Sequence, residues 1–264
     1  MIRALNVRLL TARLVVIVPF AALLAMGCSP QTDQPHQLMP GVRSEVEKAH
    51  AVTGAPSLGT AESFAVLAGS TVTNTGPTTV IGNLGVSPGT AVVGFPPGEV
   101  FGEIHAGDDV ALRAQDDVTT AYNDLAGRPC DRDLSGTDLG DLGTLTPGVY
   151  CFSSSAQLTG TLTLDAQGSS DSVFIFQIGS ALTTASSSSV LLINGGLGYG
   201  VFWQVGSSAT LGTTTAFRGS IVALTSITLN TDATIHCGRA LARNGAVTLD
   251  TNEVTIFPRG CGCP

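Results

Sequence analysis

From Val149 to Phe257 a group of three short β-forming segments recurs five times, and this recurrence restricts the possible folds more than any other feature. The first two groups are VYCF, AQLTG and TLTLD (149–165), then VFIFQI, ALTTA and SVLLIN (173–194). The series continues as VFWQV, ATLGT and TAFRG (201–219), SIVAL, SITLNT and ATIHC (220–237), and RALAR, AVTLDT and EVTIF (239–257). First segments begin 24, 28, 19 and 19 residues apart. One such unit cannot bury its own apolar residues, so neighbouring units must stack to make a core. Three strands per unit, stacked at roughly 4.7–4.9 Å, predict a parallel β-solenoid of triangular section.

Alternation then assigns sides to the middle segments. Leu158, Leu182, Leu211, Leu229 and Leu249 align as an inward ladder. The residues beside them point outward: Gln157 and Thr159, Ala181 and Thr183, Thr210 and Gly212, Thr228 and Asn230, Thr248 and Asp250. One face of the solenoid is therefore lined with small hydroxyl-bearing side chains in rows. Threonine is a common solvent-facing strand residue, but no lysine stands in any of the five units. Gln157, Gly212, Asn230 and Asp250 interrupt the threonine pattern.

Composition agrees with many short strands. Aromatic residues make up 5% of the 264, and there are 32 glycines. Charged residues are 12%, about half the usual quarter, so Ser, Thr, Asn and Gly must cover the surface. The formal net charge is −8 with a single lysine, Lys48. Such a chain cannot neutralise phosphates, which excludes nucleic acid as a partner.

Arg3, Arg8 and Arg13 followed by the apolar run Leu14–Met26 mark residues 1–27 as a secretory signal peptide. Its ending, Ala25-Met-Gly-Cys28, resembles a bacterial lipobox and makes Cys28 the expected lipidation site. The expected location is the cell envelope, as an outer-membrane lipoprotein, or the extracellular space, with membrane contact through the anchor alone. Residues 28–57 read as a flexible tether, 58–257 as one domain, and 258–264 as a cysteine-containing tail. Five cysteines follow Cys28; Cys130 and Cys151 flank a compact loop and are the expected disulfide, and Cys237 with Cys261 or Cys263 is a further pairing with less in the sequence to support it. One segment has helical periodicity, Asp108–Ala126, with Val110, Ala114, Val118, Ala121 and Leu125 on one stripe.

No arrangement of nucleophile and base accompanies the four histidines, His36, His50, His105 and His236. The acids of the repeats do not cluster in register, so catalysis is not expected. Asp131-Arg-Asp133-Leu-Ser135-Gly136 echoes the opening of a calcium loop, but the twelfth position is Leu142 and the bidentate glutamate is missing. An acidic capping loop is the simpler reading, and neither metal nor cofactor is expected.

FAVLAGSTVTNTGPTTVIGNLGVSPG (64–89), TPGVYCF (146–152), VFWQVGSSATLGT (201–213) and GRALARNGAVTLDTNEVTI (238–256) resemble the microbial ice-binding protein family. The resemblance spans about Leu58 to Phe257. It implies a discontinuous right-handed β-solenoid, all-β apart from one long α-helix packed alongside, with the N-terminal segment Leu58–His105 supplying a coil out of sequence order. It also implies a monomer whose partner is an ice crystal surface, bound by one flat face. The matching face here carries Thr159, Thr183, Thr210, Thr228, Asn230 and Thr248. A cell-surface adhesin or structural envelope module that binds glycan is the alternative.

Overall fold

A computed structural model describes residues 54–195 and 198–256. The signal peptide, Cys28, most of the tether and the 258–264 tail lie outside the described residues.

The chain opens with two coils. The first is β1 (Phe64–Ala68), β2 (Thr71–Thr75) and β3 (Thr79–Ile81); the second is β4 (Asn83–Val86), β5 (Ala91–Val93) and β6 (Glu99–Phe101). The short β7 (Ile104–Ala106) leads into helix α1 (Asp109–Gly127), and a partial coil of β8 (Arg132–Asp133) and β9 (Thr144–Leu145) follows. Five complete coils then run in series. They begin with β10 (Gly148–Phe152), β11 (Ala156–Leu158) and β12 (Thr161–Asp165), then β13 (Phe174–Ile178), β14 (Leu182–Thr184) and β15 (Ser189–Ile193). Next come β16 (Val201–Val205), β17 (Ala209–Leu211) and β18 (Ala216–Arg218), then β19 (Ser220–Ala223), β20 (Ile227–Leu229) and β21 (Thr234–His236). The last coil is β22 (Ala240–Ala242), β23 (Val247–Asp250) and β24 (Glu253–Thr255).

Each position in the coil builds one sheet, so three sheets enclose the core. The last coil does not end the stack. It pairs in parallel with the first through Val66↔Ala240, Val72↔Val247 and Val80↔Val254. The N-terminal coils therefore sit beyond the C-terminal one, and the solenoid is discontinuous in sequence.

The first sheet is largely apolar on both faces, because the core covers one and α1 covers most of the other. Its inward side chains include a stack of Tyr150, Phe176 and Trp203, the last two with ring centroids 4.0 Å apart and nearly parallel. Its outward side chains Val149, Ile175, Phe202, Val222 and Leu241 pack against Ala111, Ala114, Val118, Ala121 and Leu125 of α1. Asp108 caps the helix by accepting from the Val110 and Ala111 amides. Val110, expected on the apolar stripe, is 39% exposed, and Ala111 takes its place. Only the first position of the stripe differs: Ala111, Ala114, Val118, Ala121 and Leu125 follow the alternating three- and four-residue spacing of one helix face.

The leucine ladder is also revised. Leu182 pairs with Ala156 and Ala209, and the position next to Leu158 is held by buried Thr184. Corner length sets this register. Phe152 pairs with Ile178, and each is followed by three residues before the next paired position, Ala156↔Leu182. The shift is two residues, so Leu182 still points inward. Thr184 is accommodated because its hydroxyl accepts from the Gly212 amide at 2.8 Å and bonds the Thr215 hydroxyl at 2.8 Å.

Between the second and third sheets the chain turns through one left-handed residue per coil: Gly160, Ser187, Thr214, Asp232, Thr251, Gly76 and Gly94. A β-branched residue there is unfavourable. Side chains bridging successive coils offset the strain, as in the 2.8 Å bond between the Ser187 and Thr214 hydroxyls. Gly76 has no such freedom, since a Cβ there would stand 2.4 Å from the Thr251 hydroxyl.

Candidate functional site

The second sheet is ordered β11-β14-β17-β20-β23-β2-β5, and among the described residues no helix packs on its outer side. Its strands alternate buried and exposed residues, as in Ala156, Gln157 and Leu158 or Val247, Thr248 and Leu249. Register places one outward residue of each strand in a single row: Gln157, Thr183, Thr210, Thr228, Thr248, Thr73 and Val93. Five consecutive rungs are threonine. At parallel-strand spacing they lie about 4.7–4.9 Å apart, each with its hydroxyl and methyl at the surface.

The hydroxyls differ in what they already bond. Those of Thr183, Thr210 and Thr228 make no hydrogen bond with the described residues. The Thr73 hydroxyl donates to that of Thr248 at 3.4 Å, a long and weak contact. Thr159 lies at the edge of the same sheet, and its hydroxyl donates to Asp138 Oδ2 at 2.7 Å. Asn230 is exposed on the same flank of the row, two residues beyond Thr228 as Thr159 is two beyond Gln157. Beside the row, two residues before each threonine, stand the small side chains of Ala181, Ser208, Ser226, Ala246 and Thr71.

Asp250 is the charge closest to the row. Its Oδ2 accepts from the Thr231 hydroxyl at 2.5 Å and its Oδ1 from the Thr251 hydroxyl at 3.2 Å. The carboxylate is thus engaged with the corner. The third sheet is less uniform: its outward residues include Asp165, Leu191, Arg218, His236, Glu253, Glu99 and Phe101.

The acidic loop before the five coils closes one end of the stack. Asp131 accepts from the Val149 amide, Asp133 from the Ser135 amide and hydroxyl, and Asp138 from the Gly140 and Thr159 amides. Burial alone would push the Asp138 carboxyl up, but the Thr159 hydroxyl and these amides outweigh it and hold it below its ordinary value. The loop is tied to the first sheet by the Cys130–Cys151 disulfide, as expected. Cys237 is disulfide-bonded as well. Arg239 and Arg243 anchor other elements. Buried Arg239 donates to the Glu62 carbonyl, and Arg243 to the Thr119 hydroxyl.

The family described as Ice-binding-like matches residues 66–255, the span of all these coils. The chain belongs to this family. An ice-binding protein of a Nostoc strain is 62% identical over 198 residues, which cover 75% of this chain and 73% of that one. A solved ice-binding protein from an Antarctic biological consortium superposes with a TM-score of 0.73 at 46% identity, covering 84% of this chain and 95% of its own. That of the Antarctic ascomycete Antarctomyces psychrotrophicus gives 0.72 at 41% identity, covering 76% and 98%.

Within this ice-binding-like fold, Thr183, Thr210, Thr228 and Thr248 stand in one row, while Thr159 and Asn230 flank it. Thr183 stands beside Gln157 and Thr210 rather than beside Thr159 and Gly212, because of the two-residue shift at Leu182. The residue that sequence reasoning missed is Thr73. Its signal was present in AGSTVTNTG (68–76), where a Gly-Ser corner precedes alternating threonines as in GSSATLGT (206–213). Only the seam between the first and last coils brings it beside Thr248.

Proposed function

We propose that the chain binds ice through the second sheet, with Thr183, Thr210, Thr228, Thr248 and Thr73 at the centre of the contact. The observation that carries this reading is the register of five threonines on five adjacent strands, free of charged neighbours in the row. Each hydroxyl orders one water and each methyl limits the disordered water beside it. Rungs recur at about 4.7–4.9 Å and side chains along a strand at about 6.6–6.8 Å, a two-dimensional lattice suited to a crystalline ligand. Each water contact contributes about 0.5–1.5 kcal/mol, so binding depends on many being made together on a rigid plane. Relatives named as ice-binding proteins support the reading.

Thr159 contributes its methyl and a flat edge, since its hydroxyl is held by Asp138. Asn230 adds an amide on the same flank of the row. The activity is adsorption by a monomer, with no cofactor and no turnover. Export and acylation at Cys28 would hold this face at the cell envelope, on a tether of residues 28–57. Slow growth of ice on a cold finger in a solution of the protein tests the reading. The protein should be enriched in the ice fraction; exclusion from the ice, as for an ordinary solute, would overturn it.

A further inference from the structure

The first sheet carries a second polar feature, away from the ice-binding row. Cys151, Gln177, Gln204, Val222 and Leu241 form one outward row by register. Val222 and Leu241 are buried with the helix. The row becomes polar at Gln204 and Gln177, which line a cleft of about 330 Å³ together with Cys130, Cys151, Asp133 and Ser153. The Gln177 Nε2 donates to the Leu125 and Arg128 carbonyls at the end of the helix. Its Oε1 lies 3.1 Å from the Cys151 sulfur, which in a disulfide has no hydrogen to donate, so that oxygen remains an acceptor.

Gln204 has no such structural employment. It is 6% exposed, and its carboxamide makes no hydrogen bond with the described residues. An apolar residue would serve a buried position of this row better, as Val222 does on the next rung. The cleft thus offers a donor and an acceptor on Gln204, an acceptor on Gln177, the second oxygen of Asp133 and the Ser153 hydroxyl. No cation lines it to attract an anion. Vicinal hydroxyls, which both donate and accept, match this set. The volume equals about eleven waters at roughly 30 Å³ each, room for one sugar unit together with several waters. We infer that this cleft binds a neutral polyhydroxylated ligand, a sugar or polyol, with Gln204 as its principal contact. The same chemistry would be presented by a free sugar or by the end of a glycan.

The test is a titration of the isotope-labelled chain, read at the side-chain amide resonances of Gln204 and Gln177. Glucose, sorbitol and maltotriose are the probes, and acetate is the anionic control. The expected result is a saturable shift at both residues with glucose and sorbitol and none with acetate. Gln204→Leu should weaken the response at Gln177 by at least about tenfold, the loss of one good hydrogen bond, while ice partitioning stays as in the parent. Maltotriose binding tighter than glucose would identify a glycan end, and equal affinity a free sugar. Resonances that stay fixed, drift linearly without saturating, or respond equally in Gln204→Leu would overturn the assignment. Ice partitioning is read separately, so either proposal can fail without the other.

Discussion

A threonine on the second sheet exposes a hydroxyl and a methyl from a side chain whose χ1 is restricted by branching, so its position is repeated faithfully from rung to rung. The same residue type turned inward is a different object. Thr184 replaces a core leucine, and its hydroxyl is committed to the Gly212 amide and the Thr215 hydroxyl. Thr184→Val keeps the shape but leaves the Gly212 N–H unpaired in a buried corner, and chemical denaturation should show a loss of roughly 1–3 kcal/mol. Thr184→Ser keeps the bond and should lose about 0.8 kcal/mol, the value of the missing methyl. A valine variant as stable as the parent would contradict this account of the corner. Sequence alternation identified the outward threonines but not the direction of Thr184, because the corner lengths that set register are invisible to a two-residue period.

Asp138 belongs to the same scale. Its carboxyl is held below its ordinary value in the folded chain, so it contributes stability while ionised. That contribution is complete above the unfolded value, near about 4, and disappears as pH falls through the lower folded value. Asp138→Asn should therefore melt below the parent at neutral pH, with the gap closing in acid. A gap that stays constant with pH would show that the charge is not what the Thr159 and Gly140 amides require.

Elements divide by how local their causes are. The helix was legible to within a residue at each end, because Asp108 supplies its cap and the apolar stripe has a clear period. Its cap does more than end a helix: Asp108 also accepts from His105 at 2.8 Å, and that ring packs on Phe64. The cap thereby joins the helix to β7 and to the first coil. Asp108→Ala should cost about 0.5–2 kcal/mol for the cap, measured as a lower unfolding midpoint. An unchanged midpoint would mean that the apolar stripe alone fixes the helix. Strands of the five serial coils were legible from their recurrence, since each begins after a Gly, Ser or Thr corner. The capping role of the acidic loop was legible in kind, as carboxylates near a chain reversal. Which amide each would take depends on the coil beneath and could not be read.

For the molecule as a whole, the unusual feature is the seam. The last coil docks on the first through pairings across all three sheets, joining residues about as far apart as Thr73 and Thr248 in sequence. No periodicity within the chain predicts that junction; the resemblance to a family did. The seam extends the row from four threonines to five and lengthens the flat second sheet by two strands, β2 and β5. The three sides of the triangle thus have three characters: one covered by a helix, one mixed and partly charged, and one flat and lined with threonine.

This division makes the central claim testable by one comparison of sides. Thr228→Tyr places a bulky ring in the middle of the threonine row, and Thr234→Tyr places the same ring on the outward side of the third sheet. Inhibition of ice recrystallisation would be measured for both and for the parent, with folding checked by thermal unfolding. The account predicts that Thr228→Tyr loses activity while Thr234→Tyr retains it. Equal activity in the two folded variants, or loss in Thr234→Tyr alone, would contradict the assignment of the second sheet as the surface that meets ice.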